Sequence, residues 1–149
     1  MQEINNVGLL SRAYMVKKIL KTEAEWKKLL SREQFEVMRE KGTEAPFSCG
    51  GKRIIHGIYY CAACGLPLFR SEAKFESKTG WPSYFEPINM KHVEEREDES
   101  LPIRRKEVIC ARCESHLGHV FNDGPSPVRK SYCINSVALN FKTYSKEGV

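Results

Sequence analysis

Two Cys-x-x-Cys pairs, Cys61/Cys64 in YYCAACG and Cys110/Cys113 in VICARCES, constrain the fold of this chain more than any other feature. Each pair offers two thiolates from one tight turn, and four thiolates complete the tetrahedral shell of a structural zinc ion. The interval between the pairs is longer than in a compact zinc ribbon. A separate segment must therefore lie between two turns that meet at one point. With those four cysteines assigned to metal, Cys49 and Cys133 are left over. A spare thiol in a small protein is where redox chemistry is to be sought.

At 149 residues the chain is one domain with one core. Its longest stretch without formal charge, Ile54 to Phe69, is broken by His56, Gly57, Gly65 and Pro67 and reads as strands and a turn, not as a membrane span. The first residues, MQEINNVGLLSRAYMVKK, lack an apolar run followed by a small-residue cleavage site, so a reducing cytoplasm is expected, where Cys-x-x-Cys pairs favour zinc over disulfides. Four thiolates and one dication lower the formal charge of +5 to about +3. The charge is spread along the chain, with one acidic stretch from Glu94 to Glu99. That pattern predicts a solvated surface of mixed charge, with neither a nucleic-acid nor a membrane partner.

Residues 1–21 show no clear period and are expected to form an N-terminal arm, mobile or irregularly helical; residues 22–149 form the single domain. Thr22 with Glu25, and Ser31 with Gln34, are capping boxes that open two helices, and Gly42 stands where the second would end. Trp26, Leu29 and Leu30 make one apolar stripe, and Phe35, Val37 and Met38 a less regular one, both suited to covering a sheet. Beyond Gly42 the segments Ile54–Tyr60, Glu107–Ile109 and Val137–Phe141 are β-branched and aromatic, separated by Gly and Pro. Short strands without a βαβ rhythm predict a mainly antiparallel β assembly, the knuckles on two hairpin-like turns clamped by the metal.

Cys133 lies in SYCINS at the start of an apolar strand, where alternation puts Cys133 and Asn135 on one face and Ile134 on the other. A lone cysteine is often only a small buried hydrophobe. Here His116 and His119, in HLGHVF, follow the second knuckle closely, and two imidazoles near the thiol can favour a thiolate or donate protons. The competing assignment for the pair is a second metal site, with Asp123 as the nearest carboxylate in sequence. Trp81, in TGWPSYF, sits between Gly and Pro in a turn. It is either an ordinary packed aromatic or the wall of a pocket that accepts a small apolar group such as an S-methyl.

Taken together, GTEAPF, the two Cys-x-x-Cys pairs, TGWPS, HLGHVF, the step from Gly124 to Pro127, and SYCINS resemble the B-type methionine sulfoxide reductases, in order and spacing, from about Thr22 to Phe141. The resemblance implies a β-rich fold of two small antiparallel sheets with N-terminal helices. It implies thiol-dependent reduction of the R epimer of methionine sulfoxide in proteins and peptides, by a cytoplasmic monomer recycled by thioredoxin or another thiol. It also implies roles for single residues. Cys133 is the nucleophile, left as a sulfenic acid; His116, His119 and Asn135 orient the substrate and protonate the departing oxygen; Trp81 holds the ε-methyl group. Cys61, Cys64, Cys110 and Cys113 bind the structural zinc. Two departures stand out. Where many members carry a resolving cysteine before Gly-Trp-Pro-Ser, this chain has Thr79, which leaves Cys49, flanked by glycines, as the alternative resolving thiol, or else recycling by an external thiol alone. Where many have Arg two residues before the nucleophile, it has Ser131, so the cation that favours the thiolate is unassigned. The two other readings are a zinc-knuckle module that binds nucleic acid and an inactive relative that keeps the zinc scaffold.

Overall fold

The computed structural model describes residues 16–45, 56–77, 79–124 and 129–144. Cys49, and with it the expected strand residues Ile54 and Ile55, lies outside the described residues. Both helix starts form as expected. Helix α1 (Glu23–Leu29) and helix α2 (Arg32–Met38) each open on a complete capping box, the Thr22 and Ser31 hydroxyls accepting from the Glu25 and Gln34 N–H groups while those side chains accept in return. Trp26 and Leu30 are buried but Leu29 is exposed, so the first stripe is narrower than the sequence suggests. Helix α2 stops at Met38, and Lys41 rather than Gly42 takes the left-handed conformation (φ 57°). Gly42 serves close approach instead, since its N–H donates to the Glu36 carbonyl at 2.8 Å and a Cβ there would stand 2.9 Å from the same oxygen.

Among the described residues nine strands form two antiparallel sheets. In the smaller, β1 (Gly57–Cys61) lies between β2 (Pro67–Arg70) and β9 (Leu139–Thr143). The larger runs β3 (Lys74–Phe75), β4 (Ser83–Tyr84), β8 (Ser131–Ile134), β7 (His116–Phe121), β6 (Arg105–Cys110) and β5 (Val93–Asp98). The expected strand from Val137 begins only at Leu139. Ser136–Ala138 form a 3-10 turn, because the Glu44 carboxylate accepts the N–H groups of Ser136 and Val137 and draws them out of any ladder. No helix among the described residues is long and apolar enough to cross a membrane.

Alternation divides the larger sheet cleanly. Tyr84, Tyr132, Ile134, Val120, Val108, Cys110 and Val93 point to one side and join Trp26, Phe35, Met38, Leu68 and Phe69 in the core. Phe69 of the smaller sheet stacks on Tyr84 of the larger, with ring centroids 4.5 Å apart. Ser83, Ser131, Cys133, His119, Glu107 and Asp98 occupy the opposite face, outside that core.

Backbone contact between β7 and β8 depends on one residue without a side chain. A Cβ on Gly118 would fall 2.0 Å from the Cys133 carbonyl oxygen and 2.9 Å from Ile134 Cα. Only backbone movement can relieve such a clash. Gly118→Ala is therefore expected to destabilise the fold by about 3 kcal/mol, the upper end of the ordinary cost of overpacking, as read by urea unfolding.

Candidate active site

The two cysteine knuckles are built alike. In the first, the Cys61 N–H donates to the Leu66 carbonyl at 2.8 Å and the Gly65 N–H to the Cys61 carbonyl at 2.8 Å. In the second, Cys110 N–H reaches Ser115 O at 2.9 Å and Glu114 N–H reaches Cys110 O at 2.8 Å. Gly65 and Glu114 hold the matching left-handed positions (φ 85° and 61°). Cys61 ends β1 and Cys110 ends β6, so the thiols meet where the two sheets meet. All four sulfur atoms lie within 4.8 Å of one another, with Cys61 to Cys113 at 3.7 Å and Cys64 to Cys110 at 3.5 Å. A tetrahedron with zinc–sulfur bonds of about 2.3 Å has edges of about 3.8 Å, so the cluster fits that ion. Without a cation such crowding is unfavourable; the contact with Cys110, the other thiols and burial push the Cys61 thiol upward.

The second knuckle leads straight into β7, and α2 steadies it: Arg39 Nη1 donates to the Cys113 carbonyl at 2.9 Å and to Ser115 Oγ at 3.1 Å. Strict alternation would set His116 and His119 on opposite faces, three residues being an odd step. A bulge corrects this. Val108 pairs with Gly118 and Ile109 with His116, so Leu117 is an extra residue on β7. Leu117 goes into the core, and both imidazoles share the outer face with ring centroids 5.4 Å apart.

Cys133 sits in the row Ser83–Cys133–His119–Glu107–Arg96 across five strands, directly opposite His119 on β7 and Ser83 on β4. It is 8% exposed, and Ser83 Oγ and Ser131 Oγ each lie 3.4 Å from its sulfur. Lys130, adjacent in sequence, pairs with Glu95 at 3.0 Å on the other side of the sheet. Each histidine is backed by a carboxylate: His116 Nδ1 to Glu107 Oε2 at 2.7 Å, and His119 Nε2 to Asp98 Oδ2 at 2.7 Å. Lys41 and Arg105 pair with those carboxylates at 3.1 and 3.2 Å. Hydrogen bonds from Ser100, then from His119, hold the Asp98 carboxyl well below its usual range. Burial, outweighing the pull of Glu107, pushes the His116 imidazole below its ordinary value and leaves it neutral at pH 7. A carboxylate only accepts, so His116 carries its proton on Nδ1, and its buried Nε2 has no hydrogen-bond partner among the described residues.

Asn135 and Trp81 meet through Glu44. The Glu44 N–H donates to Asn135 Oδ1 at 3.0 Å, and the Trp81 indole N–H donates to the Glu44 carbonyl at 2.9 Å. Trp81 is half-buried, so part of its ring stays open. The structure thus places Cys133 opposite His119 and His119 beside His116, and it ties Trp81 to Asn135. Asp98, Glu107, Ser83 and Glu44 are additions that the sequence reading passed over. Asp98 was hidden in an apparently solvated acidic run, although its place on an alternating strand was the available signal; Glu107 carried one too, as an acid inside an apolar strand. The expected alternative of a two-histidine metal site with Asp123 finds no counterpart. Among the described residues the four cysteines are the one group of three or more His, Cys, Asp or Glu side chains close enough to share an ion.

The SelR domain family matches residues 30–143. The chain is similar to the peptide methionine sulfoxide reductase MsrB of Methanosarcina barkeri, 56% identical over 130 residues, which is 85% of this chain and 90% of that protein. It is 54% identical to the Methanosarcina mazei protein of the same name over 127 residues, 83% of this chain and 89% of that one. With the Herminiimonas arsenicoxydans MsrB it shares 51% identity over 130 residues, 85% and 93% of the two chains. These matches leave no place for the nucleic-acid-binding knuckle as the main reading. A SelR domain across most of the chain, and identity above one half to proteins of one name, show that this chain belongs to the MsrB family of peptide methionine sulfoxide reductases, which are oxidoreductases.

Proposed function

We propose that the chain reduces the R epimer of methionine sulfoxide in proteins and peptides, with Cys133 as nucleophile. The observation that carries this reading is the pairing of Cys133 directly opposite His119, with a carboxylate behind each imidazole. The Cys133 thiolate attacks the sulfoxide sulfur. The oxygen takes up a proton and passes to the Cys133 sulfur: its bond to the substrate sulfur and the transient S–S bond both break as the new S–O bond forms, which leaves the cysteine as a sulfenic acid. The substrate sulfur is reduced by two electrons to the thioether and the cysteine sulfur is oxidised by two. His116 Nε2, buried and without a partner among the described residues, and His119 handle the proton; Asn135 orients the sulfoxide and Trp81 holds the ε-methyl group. The Cys49 thiol then displaces water from the sulfenic sulfur to form a disulfide with Cys133, and the two thiols of thioredoxin reopen that disulfide. The same reading has the chain act as a monomer in the cytoplasm, a compartment that sustains reducing thiol chemistry of this kind.

With a dithiothreitol-driven peptide assay, wild type is expected to turn over methionine-R-sulfoxide and not the S epimer. Cys133→Ser is expected to lose at least about a thousandfold in rate, as removal of a catalytic nucleophile does. Turnover of both epimers, or full activity in the mutant, would overturn the assignment.

Cys49 as resolving thiol is part of the same reading. It follows Glu44 by five residues, and Glu44 is bound to Asn135 and Trp81. Five residues of chain span at most about 17 Å, a separation in sequence short enough for a resolving role. Cys49→Ser is expected to cut thioredoxin-driven turnover by about tenfold or more while sparing the single-turnover release of methionine. Unchanged thioredoxin-driven rates would assign recycling to direct attack by the external thiol.

The four-cysteine cluster holds one structural zinc ion. When bound, the ion supplies a cross-link between the sheets and takes no part in the reaction. Chelation under reducing conditions is expected to release about one zinc per chain and lower the melting temperature by more than about 10 °C, since the free energy of binding such an ion is also free energy of folding. Unchanged melting after verified zinc loss would contradict that role.

A further inference from the structure

Glu44 is 7% exposed, yet the recorded partners of its carboxylate are all neutral donors. Ser136 N–H reaches Oε2 at 2.7 Å, and Ser136 Oγ and Val137 N–H reach Oε1 at 2.8 and 3.0 Å. Those two N–H groups open the 3-10 turn Ser136–Ala138, whose preceding residue Asn135 supplies no side-chain cap. Asn135 cannot cap its own turn because its amide is engaged elsewhere. Its Oδ1 accepts from the Glu44 N–H, and its Nδ2 donates to the Leu117 carbonyl at 3.0 Å. Those partners also fix which way the amide faces, since reversal would set donor against donor and acceptor against acceptor. Glu44 therefore supplies the missing cap from a distant part of the chain, and its own backbone is held in place by doing so.

The same backbone spans the site. Its N–H holds Asn135, and its carbonyl holds the indole N–H of Trp81. We propose that Glu44 is the positioning residue that sets the Trp81 ring and the Asn135 amide at their working separation, its carboxylate acting as the anchor and its peptide groups as the two jaws. The inference rests on the reading above that Trp81 and Asn135 hold the sulfoxide side chain. It differs from a general stabilising role in one respect. Freeing the carboxylate leaves the Cys133–His119 pair in place and loosens only the groups that grip the substrate.

The test compares wild type with Glu44→Ala and Glu44→Gln in the full zinc-loaded chain. Kinetics use a methionine-R-sulfoxide peptide with dithiothreitol, beside acrylamide quenching of tryptophan fluorescence and iodoacetamide alkylation of Cys133. The chain has two tryptophans and Trp26 is fully buried, so added quenching reports Trp81. The expected result for Glu44→Ala is a KM raised about tenfold, with kcat and the Cys133 alkylation rate within about threefold of wild type and quenching clearly increased. Glu44→Gln, which keeps length but turns an amide NH2 toward donors, falls between the two and decides the matter if the alanine variant does not fold. A lowered melting temperature with unchanged KM and quenching would overturn the proposal. If wild type reduces no sulfoxide while quenching still rises in the variants, the proposed function falls and the clamp on Trp81 stands.

Discussion

Four sulfur atoms drawn to one point are the constraint on which the rest of this structure depends. Cys61 closes β1 of the smaller sheet and Cys110 closes β6 of the larger, so whatever holds the cluster also holds the sheets together. The ring contacts among Phe69, Tyr84 and Tyr132 bind the same two sheets, but aromatic contacts tolerate sliding. A tetrahedral thiolate shell does not. Three residues beyond Cys113 the chain is already in β7, and β7 carries both histidines. The junction thus supplies the fixed origin from which the imidazoles are placed.

From that origin the placement depends on a single extra residue. Without Leu117 inserted, His116 would face the core and its imidazole would need partners in an apolar interior. With it, His116 and His119 lie side by side, each bonded to an acid from the neighbouring strands: Glu107 on β6 and Asp98 at the end of β5. The small residue that follows completes the arrangement, since Gly118 lets β7 approach β8 closely enough for His119 to stand opposite Cys133. In HLGH the four letters have separate tasks: two imidazoles outward, one leucine inward, and one position left without a side chain.

Short-range pattern is the part of this structure that is legible in the sequence. The capping boxes at Thr22 and Ser31 depend on residues three apart, and the two knuckles on residues three apart, so each is complete within a few letters. The two-sheet fold and the family followed from motifs of the same kind. What escaped was long-range. Glu44 meets Ser136 and Val137 more than ninety residues away, and no local pattern says that a glutamate will cap a turn it does not adjoin. Its capture of those N–H groups is also why the strand expected from Val137 starts late. Asp98 was lost in a run of six residues that read as surface, because alternation shows which residues share a face and not which face is covered.

On the face that Cys133 occupies, hydroxyls stand on two sides of the sulfur. Ser83 has one hydroxyl proton and three acceptors around it: Ser77 Oγ at 2.8 Å, the Trp81 carbonyl at 3.1 Å and the Cys133 sulfur at 3.4 Å. Ser77 in turn meets Thr79 Oγ1 at 2.7 Å, which makes a file of hydroxyls from Thr79 to the sulfur. While Cys133 is a thiol it can donate into that file. In the other direction, Ser83 or Ser131 can turn a hydroxyl proton toward the sulfur. The same file ends at Thr79, the third hydroxyl counted from the sulfur. Ser83, Ser77 and Thr79 thus line one side of Cys133 with groups that can each donate or accept, so the polarity there can follow the hydrogen-bonding needs of the sulfur.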